Sequence, residues 1–186
     1  MSSRPFVALV ILIVASSALG LTGCSSAPRT QGEAELLEQR ADLTIARSKR
    51  QDPSLNRFFE DSHGWAVFPS VGKGGLGVGG AYGEGVVYEQ GRRIGTAELT
   101  QVTIGLQIGG QTYSELIFFQ RESDLRNFRR GNLEFDAQAT AVALDRGAGA
   151  NADYDKGVAI FTLGEKGLMA EASIGGQKFS FEPWPE

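Results

Sequence analysis

From Gly72 to Tyr88 the chain reads GKGGLGVGGAYGEGVVY, and this ladder of glycines between apolar residues limits the backbone more than any other stretch. Such a run serves either as a loop whose bare backbone cradles phosphate or as thin strands of a sheet. The string Gly75-x-Gly77-x-x-Gly80 matches the dinucleotide fingerprint. That fingerprint requires a helix directly after it, so that the pyrophosphate meets a helix N-terminus. Residues 82–88 instead carry two more glycines and then Val86-Val87. Lys73 is not followed by Ser or Thr and lacks the upstream glycine of a P-loop. The ladder therefore reads as sheet, and no nucleotide is expected as a partner.

The N-terminus sets the compartment. Arg4 precedes an uncharged apolar run, residues 6–19, which is too short to span a bilayer as a helix and reads as a signal peptide. Leu21-Thr22-Gly23-Cys24 resembles the lipobox of bacterial lipoproteins, in which cleavage falls before the cysteine and the thiol carries diacylglycerol. The resemblance implies a lipoprotein signal peptide over residues 1–23, lipidation at Cys24 and a short tether over residues 24–32. Ser25 follows, and a residue other than Asp there resembles the outer-membrane sorting signal. The implied location is the bacterial cell envelope, anchored at the outer membrane and facing the periplasm. Cys24 is the only cysteine, so a disulfide within one chain is excluded, as is any other thiol nucleophile. Fully extended, residues 24–30 hold the remainder within roughly 25 Å of the lipid.

Residues 33–186 fit one domain with a proper core. Thr30 and Glu33 match a capping box, and the helix formers up to Gln51 place Leu36, Leu37, Ala41 and Ile45 on one broad apolar face. Asp52-Pro53 ends that helix and starts a short second one through Phe58 and Phe59. Beyond Gly64 the texture is that of strands, at 65–68, 75–81, 85–89, 97–108, 113–119, 139–144, 158–163, 168–174 and 178–181. One helix, 122–130, interrupts them, with acids first and Arg126, Arg129 and Arg130 last, as the helix dipole favours. The connections are too short for crossover helices. The expected class is α+β: a mainly antiparallel Gly-rich β-sheet, sandwich or barrel-like, with N-terminal amphipathic helices and one inserted helix.

Three glycine pairs, Gly79-Gly80, Gly109-Gly110 and Gly175-Gly176, each follow an aliphatic residue and precede an aromatic one. Each reads as a hairpin turn, because paired glycines accept positive φ. Catalytic constellations are thin. His63 is the single histidine, without a partner at any motif spacing, and reads as structural. Asp145, Asp153 and Asp155 surround a glycine-rich segment, 147–152, that lacks the calcium-loop pattern and reads as a solvated loop. No catalytic residue, cofactor or metal is assigned. The formal net charge of −4 argues against nucleic acid as a partner.

The run His63-Gly64-Trp65-Ala66-Val67-Phe68-Pro69, then Gly72-Lys73-Gly74-Gly75 and residues 79–88, is similar to the SYLF domain family. The resemblance continues through Ile108-Gly109-Gly110-Gln111, Phe118-Phe119, Asp124-Leu125-Arg126-Asn127-Phe128, the segments from Ala148 to Ala159, and Gly167-Leu168. The chain departs from the eukaryotic pattern around Ile94-Gly95-Thr96-Ala97, where Trp-Ser-x-Pro is usual. Eukaryotic members are actin-patch and phosphoinositide-binding proteins. The resemblance therefore implies a lipid-binding domain, not an enzyme, and an anionic phospholipid membrane as partner. Cations supply charge-assisted hydrogen bonds to headgroup phosphate. Lys73 lies inside the matched motif. Placement adds Arg47, Lys49 and Arg50 at the end of the first helix, Arg92 and Arg93 in the turn after the ladder, and Arg126, Arg129 and Arg130. The other expectation is an envelope scaffold or stress-related protein that binds another protein or the cell wall.

Overall fold

The computed structural model describes residues 30–133, 140–164, 171–173 and 175–185. Cys24, the signal peptide and Gly167-Leu168 lie outside them. Helix α1 (Gln31–Gln51) starts on the expected capping box: Thr30 N–H donates to Glu33 Oε2 at 3.0 Å, and Thr30 Oγ1 accepts from Glu33 N–H at 3.4 Å. Asp52 leaves the helical region at φ −134° and ψ 96°, as a residue before proline should. A 3₁₀ turn (Pro53–Leu55) leads into α2 (Asn56–Asp61).

The first three expected strands are one, β1 (Gly64–Glu89), and the next two are also one, β2 (Arg92–Phe119). They pair antiparallel along their whole length, with register shifts at Phe68/Val71, Leu76/Gly77 and Val87/Tyr88. Gly79-Gly80 and Gly109-Gly110 are therefore not turns. They sit inside the ladder, with Gly79 opposite Thr103 and Gly109 opposite Gly75. The dinucleotide-like string is strand on both sides, which leaves it no helix N-terminus to offer a phosphate. The real hairpin turn is Gln90-Gly91, with φ of 48° and 78°. Two consecutive positive φ values are what a two-residue loop of twist-compatible hand requires. Arg92 and Arg93 thus begin β2 instead of forming the turn. Of the three glycine pairs, Gly175-Gly176 alone is a turn, with Gly176 at φ 76°.

Helix α3 (Glu122–Arg129) follows, then β3 (Thr140–Ala143), the helical turn α4 (Ala148–Asn151), β4 (Val158–Gly164), β5 (Glu171–Ser173) and β6 (Gln177–Pro183). Among the described residues, these six strands form a single sheet in the order β1-β2-β4-β3-β5, with β6 added to β2. β4 pairs with β2 over residues 113–119 and β6 pairs with it over residues 95–101. The β3–β4 pair is parallel and the others are antiparallel.

The sheet rolls on itself. Gln90 N–H donates to the His63 carbonyl at 3.0 Å, so the approaches to both ends of β1 meet. Where its two halves cross, a Cβ on Gly85 would lie 2.6 Å from the Val67 carbonyl oxygen and 2.7 Å from the Phe68 ring. Only glycine permits that approach. The interior holds Phe68, Val71, Val87, Leu99, Ile117, Phe119 and Phe179, and Leu125 and Phe128 of α3 pack into the same cluster. On the other face, α1, the 3₁₀ turn and α2 cover the sheet with Leu37, Ala41, Leu55 and Phe58 against Val67, Val86, Leu116, Phe118 and Phe161.

Segment 147–152, expected as a solvated loop, contains α4 with Gly149 buried. Asp52 Oδ2 accepts from Gly149 N–H at 2.6 Å, and Arg57 Nη2 donates to the Gly149 carbonyl at 2.8 Å. Burial alone would raise the Asp52 carboxyl, but hydrogen bonds from Ser54 and Gly149 outweigh it and hold its pKa below the ordinary value.

Candidate membrane-facing site

Helix α1 docks through small side chains. Ala34, Leu37, Ala41, Thr44 and Ser48 are buried, and the two hydroxyls are satisfied within the helix, Thr44 Oγ1 on the Arg40 carbonyl at 2.9 Å and Ser48 Oγ on the Thr44 carbonyl at 2.8 Å. Leu36, expected on this inward face, is 57% exposed. It belongs to an outward line, Leu36, Arg40, Leu43, Arg47 and Arg50, whose alternating spacings of four and three keep all five on one side. Leu43 is 70% exposed, and the three arginines are exposed. Most acidic residues of α1 are engaged off this line. Glu33 serves the N-cap, Glu38 pairs with Arg93, and Asp42 accepts from Tyr88 Oη at 3.3 Å.

Of the remaining expected bases, Arg93, Lys49, Arg126 and Arg129 have other occupations. Arg93, besides Glu38, lays its guanidinium over Trp184 at 4.6 Å and so ties α1 to the segment after β6. Lys49 Nζ sits 4.3 Å above the Phe59 ring. Arg126 pairs with Glu122 at 2.9 Å, and Arg129 stacks over Phe181 at 4.9 Å. Arg92 and Arg130 are exposed at the start of β2 and the end of α3. The structure thus brings Arg47 and Arg50 into one exposed stripe, and adds Arg40, which the sequence reading passed over. The helical period contained that signal, but both leucines had to be seen outside for it to stand out.

Lys73 is buried, 9% exposed, and faces the rolled interior with Glu115. Burial lowers its pKa, and the Glu115 charge opposes that shift. Glu115 is fully buried on β2 and accepts from Gln177 Nε2 at 3.0 Å. Burial pushes its carboxyl up to about 7 despite that hydrogen bond and Lys73. Glu115 Oε1, Gln177 Oε1 and Thr162 Oγ1 are buried without a hydrogen-bond partner among the described residues.

His63 Nε2 lies 2.9 Å from Glu89 Oε1, a pairing across the two ends of β1 that fits a structural role. Among the described residues no group of three His, Cys, Asp or Glu side chains is placed to hold a metal ion. Among the same residues no helix is long and apolar enough to cross a membrane.

Residues 100–183, from within β2 to the end of β6, match the family model described as Ysc84: Las17-binding protein actin regulator. The chain is also 30% identical over 156 residues to Beta cell expansion factor A of Aeromonas veronii. That alignment covers 82% of this chain and 59% of the relative, so the chain spans less than two thirds of that protein's length. The matched family is one of non-catalytic, lipid-binding domains. The match over residues 100–183 supports assigning this chain to the SYLF type.

Proposed function

We propose that the chain is a non-enzymatic lipoprotein, anchored through Cys24 in the bacterial outer membrane and facing the periplasm, whose SYLF-like domain binds anionic phospholipid headgroups. The observation that carries the reading is the outward stripe of α1, where Leu36 and Leu43 alternate with Arg40, Arg47 and Arg50. A helix lying in the interface buries leucines at the acyl boundary while arginines reach headgroup phosphates. Each base contributes on the order of 1 kcal/mol at an anionic surface. The stripe begins a few residues after the tether, so an anchored Cys24 would deliver it to the bilayer first. Arg92, Arg126, Arg129, Arg130, Lys49 and Arg93 are secondary contacts in this reading, whereas Lys73, buried in the rolled interior with Glu115, is not an exposed headgroup contact.

The test is cosedimentation of a chain starting after Cys24 with vesicles containing phosphatidylglycerol or cardiolipin. Binding is expected at low salt and falls as salt screens the charges. Replacing Arg40, Arg47 and Arg50 together by Gln should abolish most of it. No pelleting at low salt would overturn the proposal. Capture of one dominant envelope protein by a domain indifferent to vesicles would favour the scaffold reading instead.

A further inference from the structure

Side chains alternate along β1, so Val86, Glu84, Tyr82 and Gly80 belong to one face of the sheet. Val86 lies beneath α1, in the same cluster as Leu37 and Ala41. Farther along, that face leaves the cover of the helix. Tyr82 is 49% exposed there, and Val102, whose cross-strand neighbour Gly80 has no side chain to shield it, is 74% exposed. Tyr82 pairs with Thr100, and Thr100 with Lys178 of β6, so a row of exposed side chains crosses three strands. Tyr82 and Val102 are diagonal neighbours in the ladder, within reach of one another.

This bare face adjoins the α1 stripe. Arg40 of the stripe and Tyr82 line one groove of about 260 Å³, together with Leu37 and Glu84. Single exposed apolar residues are ordinary, but a gathering of them marks an interaction surface. Among the described residues five large apolar side chains stand exposed, and four of them, Leu36, Leu43, Tyr82 and Val102, belong to α1 or to the adjoining face. Two acids share that face and are engaged by Tyr82, whose Oη donates to Glu84 Oε1 at 3.0 Å and lies 3.4 Å from Glu98 Oε1. Lys178 adds a cation at the far end of the Tyr82 row.

We propose that this strand face is a second membrane contact, which enters an anionic bilayer together with the α1 stripe. Val102 inserts at the acyl boundary, and the Tyr82 ring takes the headgroup level that an aromatic side chain with one polar end prefers. Lys178 reaches a lipid phosphate. The contact rests on the reading of α1 as membrane-facing. It adds that helix and sheet meet the lipid at once, which fixes the orientation of the domain on the bilayer.

The test uses the chain starting after Cys24, which keeps every described residue and has no thiol of its own. A nitrobenzoxadiazole label is attached at Leu43→Cys or at Val102→Cys, and vesicles of phosphatidylethanolamine and phosphatidylglycerol are added. Both labels should shift to the blue and brighten as they leave water for the interface. A response from the Leu43 label with none from the Val102 label would overturn the second contact and leave the α1 reading standing. Silence from both labels, with no pelleting, would remove both. Val102→Glu combined with Lys178→Glu, at two exposed positions, should weaken cosedimentation about tenfold, with circular dichroism unchanged from the parent. Undiminished cosedimentation of that folded variant would also overturn the proposal.

Discussion

Phe118 and Glu115 belong to the same strand and point to opposite sides of it, and their surroundings could hardly differ more. Phe118 is enclosed by rings, with centroids 4.8 Å from Phe59, 5.4 Å from Phe58 and 5.8 Å from Phe161. Glu115 is enclosed by Tyr113, Lys73, Gln177 and its cross-strand neighbour Thr162, with one carboxylate oxygen bonded to Gln177 and the other unpaired among the described residues. The helical side of the sheet is held by area and ring packing, which are indifferent to pH. The rolled interior is apolar toward α3 and polar around Glu115, and that polar seam is held by a few directional contacts against a desolvation cost. One sheet therefore carries a robust face and a conditional one.

The contrast is broken most directly at the robust face. Phe118→Ala should cost about 3–5 kcal/mol in urea denaturation, because the surrounding rings cannot collapse into the space. A loss below about 1 kcal/mol would mean that the aromatic layer is not what holds the helices. The next largest effect belongs to Glu115. Its folded pKa, near 7, stands above the ordinary 4.5, so its contribution is fully present below 4.5 and is lost as pH rises through 7. The stability difference across that window should be on the order of 3 kcal/mol. The urea midpoint should accordingly fall between pH 5 and pH 8, and Glu115→Gln should flatten the profile; a flat wild-type profile would remove the conditional seam from the picture. The smallest effect is Thr162→Val, which keeps the branched shape and deletes a hydroxyl that is unpaired among the described residues. It should raise the melting temperature slightly, by up to about 1 kcal/mol in stability. A clear decrease would show that the hydroxyl has a partner.

The helices were readable because their signals are local. Thr30 and Glu33 cap α1 with their own side chains, Asp52-Pro53 stops it by sterics, and the charge order of α3 needs no tertiary contact. Strand existence was also legible, but strand ends were not. Glycine reads as punctuation, whereas in a paired ladder each glycine donates and accepts like any residue, so Gly79-Gly80 and Gly109-Gly110 run on as strand. What marks the turn is positive φ at Gln90 and Gly91, a property that a glycine-rich sequence offers at many places and uses at few. The choice between Leu36 and Leu37 for the buried face depends on how closely Ala34, Ala41 and Ser48 let α1 approach, which is tertiary information. Lys73 was legible as a motif residue, but its burial follows from the rolling of the sheet that brings Glu115 into its field.

β2 is the template on which the sheet is assembled, and this fixes an order of events during synthesis. The β1–β2 ladder needs only the Gln90-Gly91 reversal and forms from neighbouring chain, as hairpins do within microseconds. β4 then covers residues 113–119, but residues 95–101 wait for β6. Until residue 183 has been made, that stretch of β2 presents a bare row of amides and carbonyls to any other strand in reach. A nascent or C-terminally clipped chain is thus a template for self-association in a way the finished one is not.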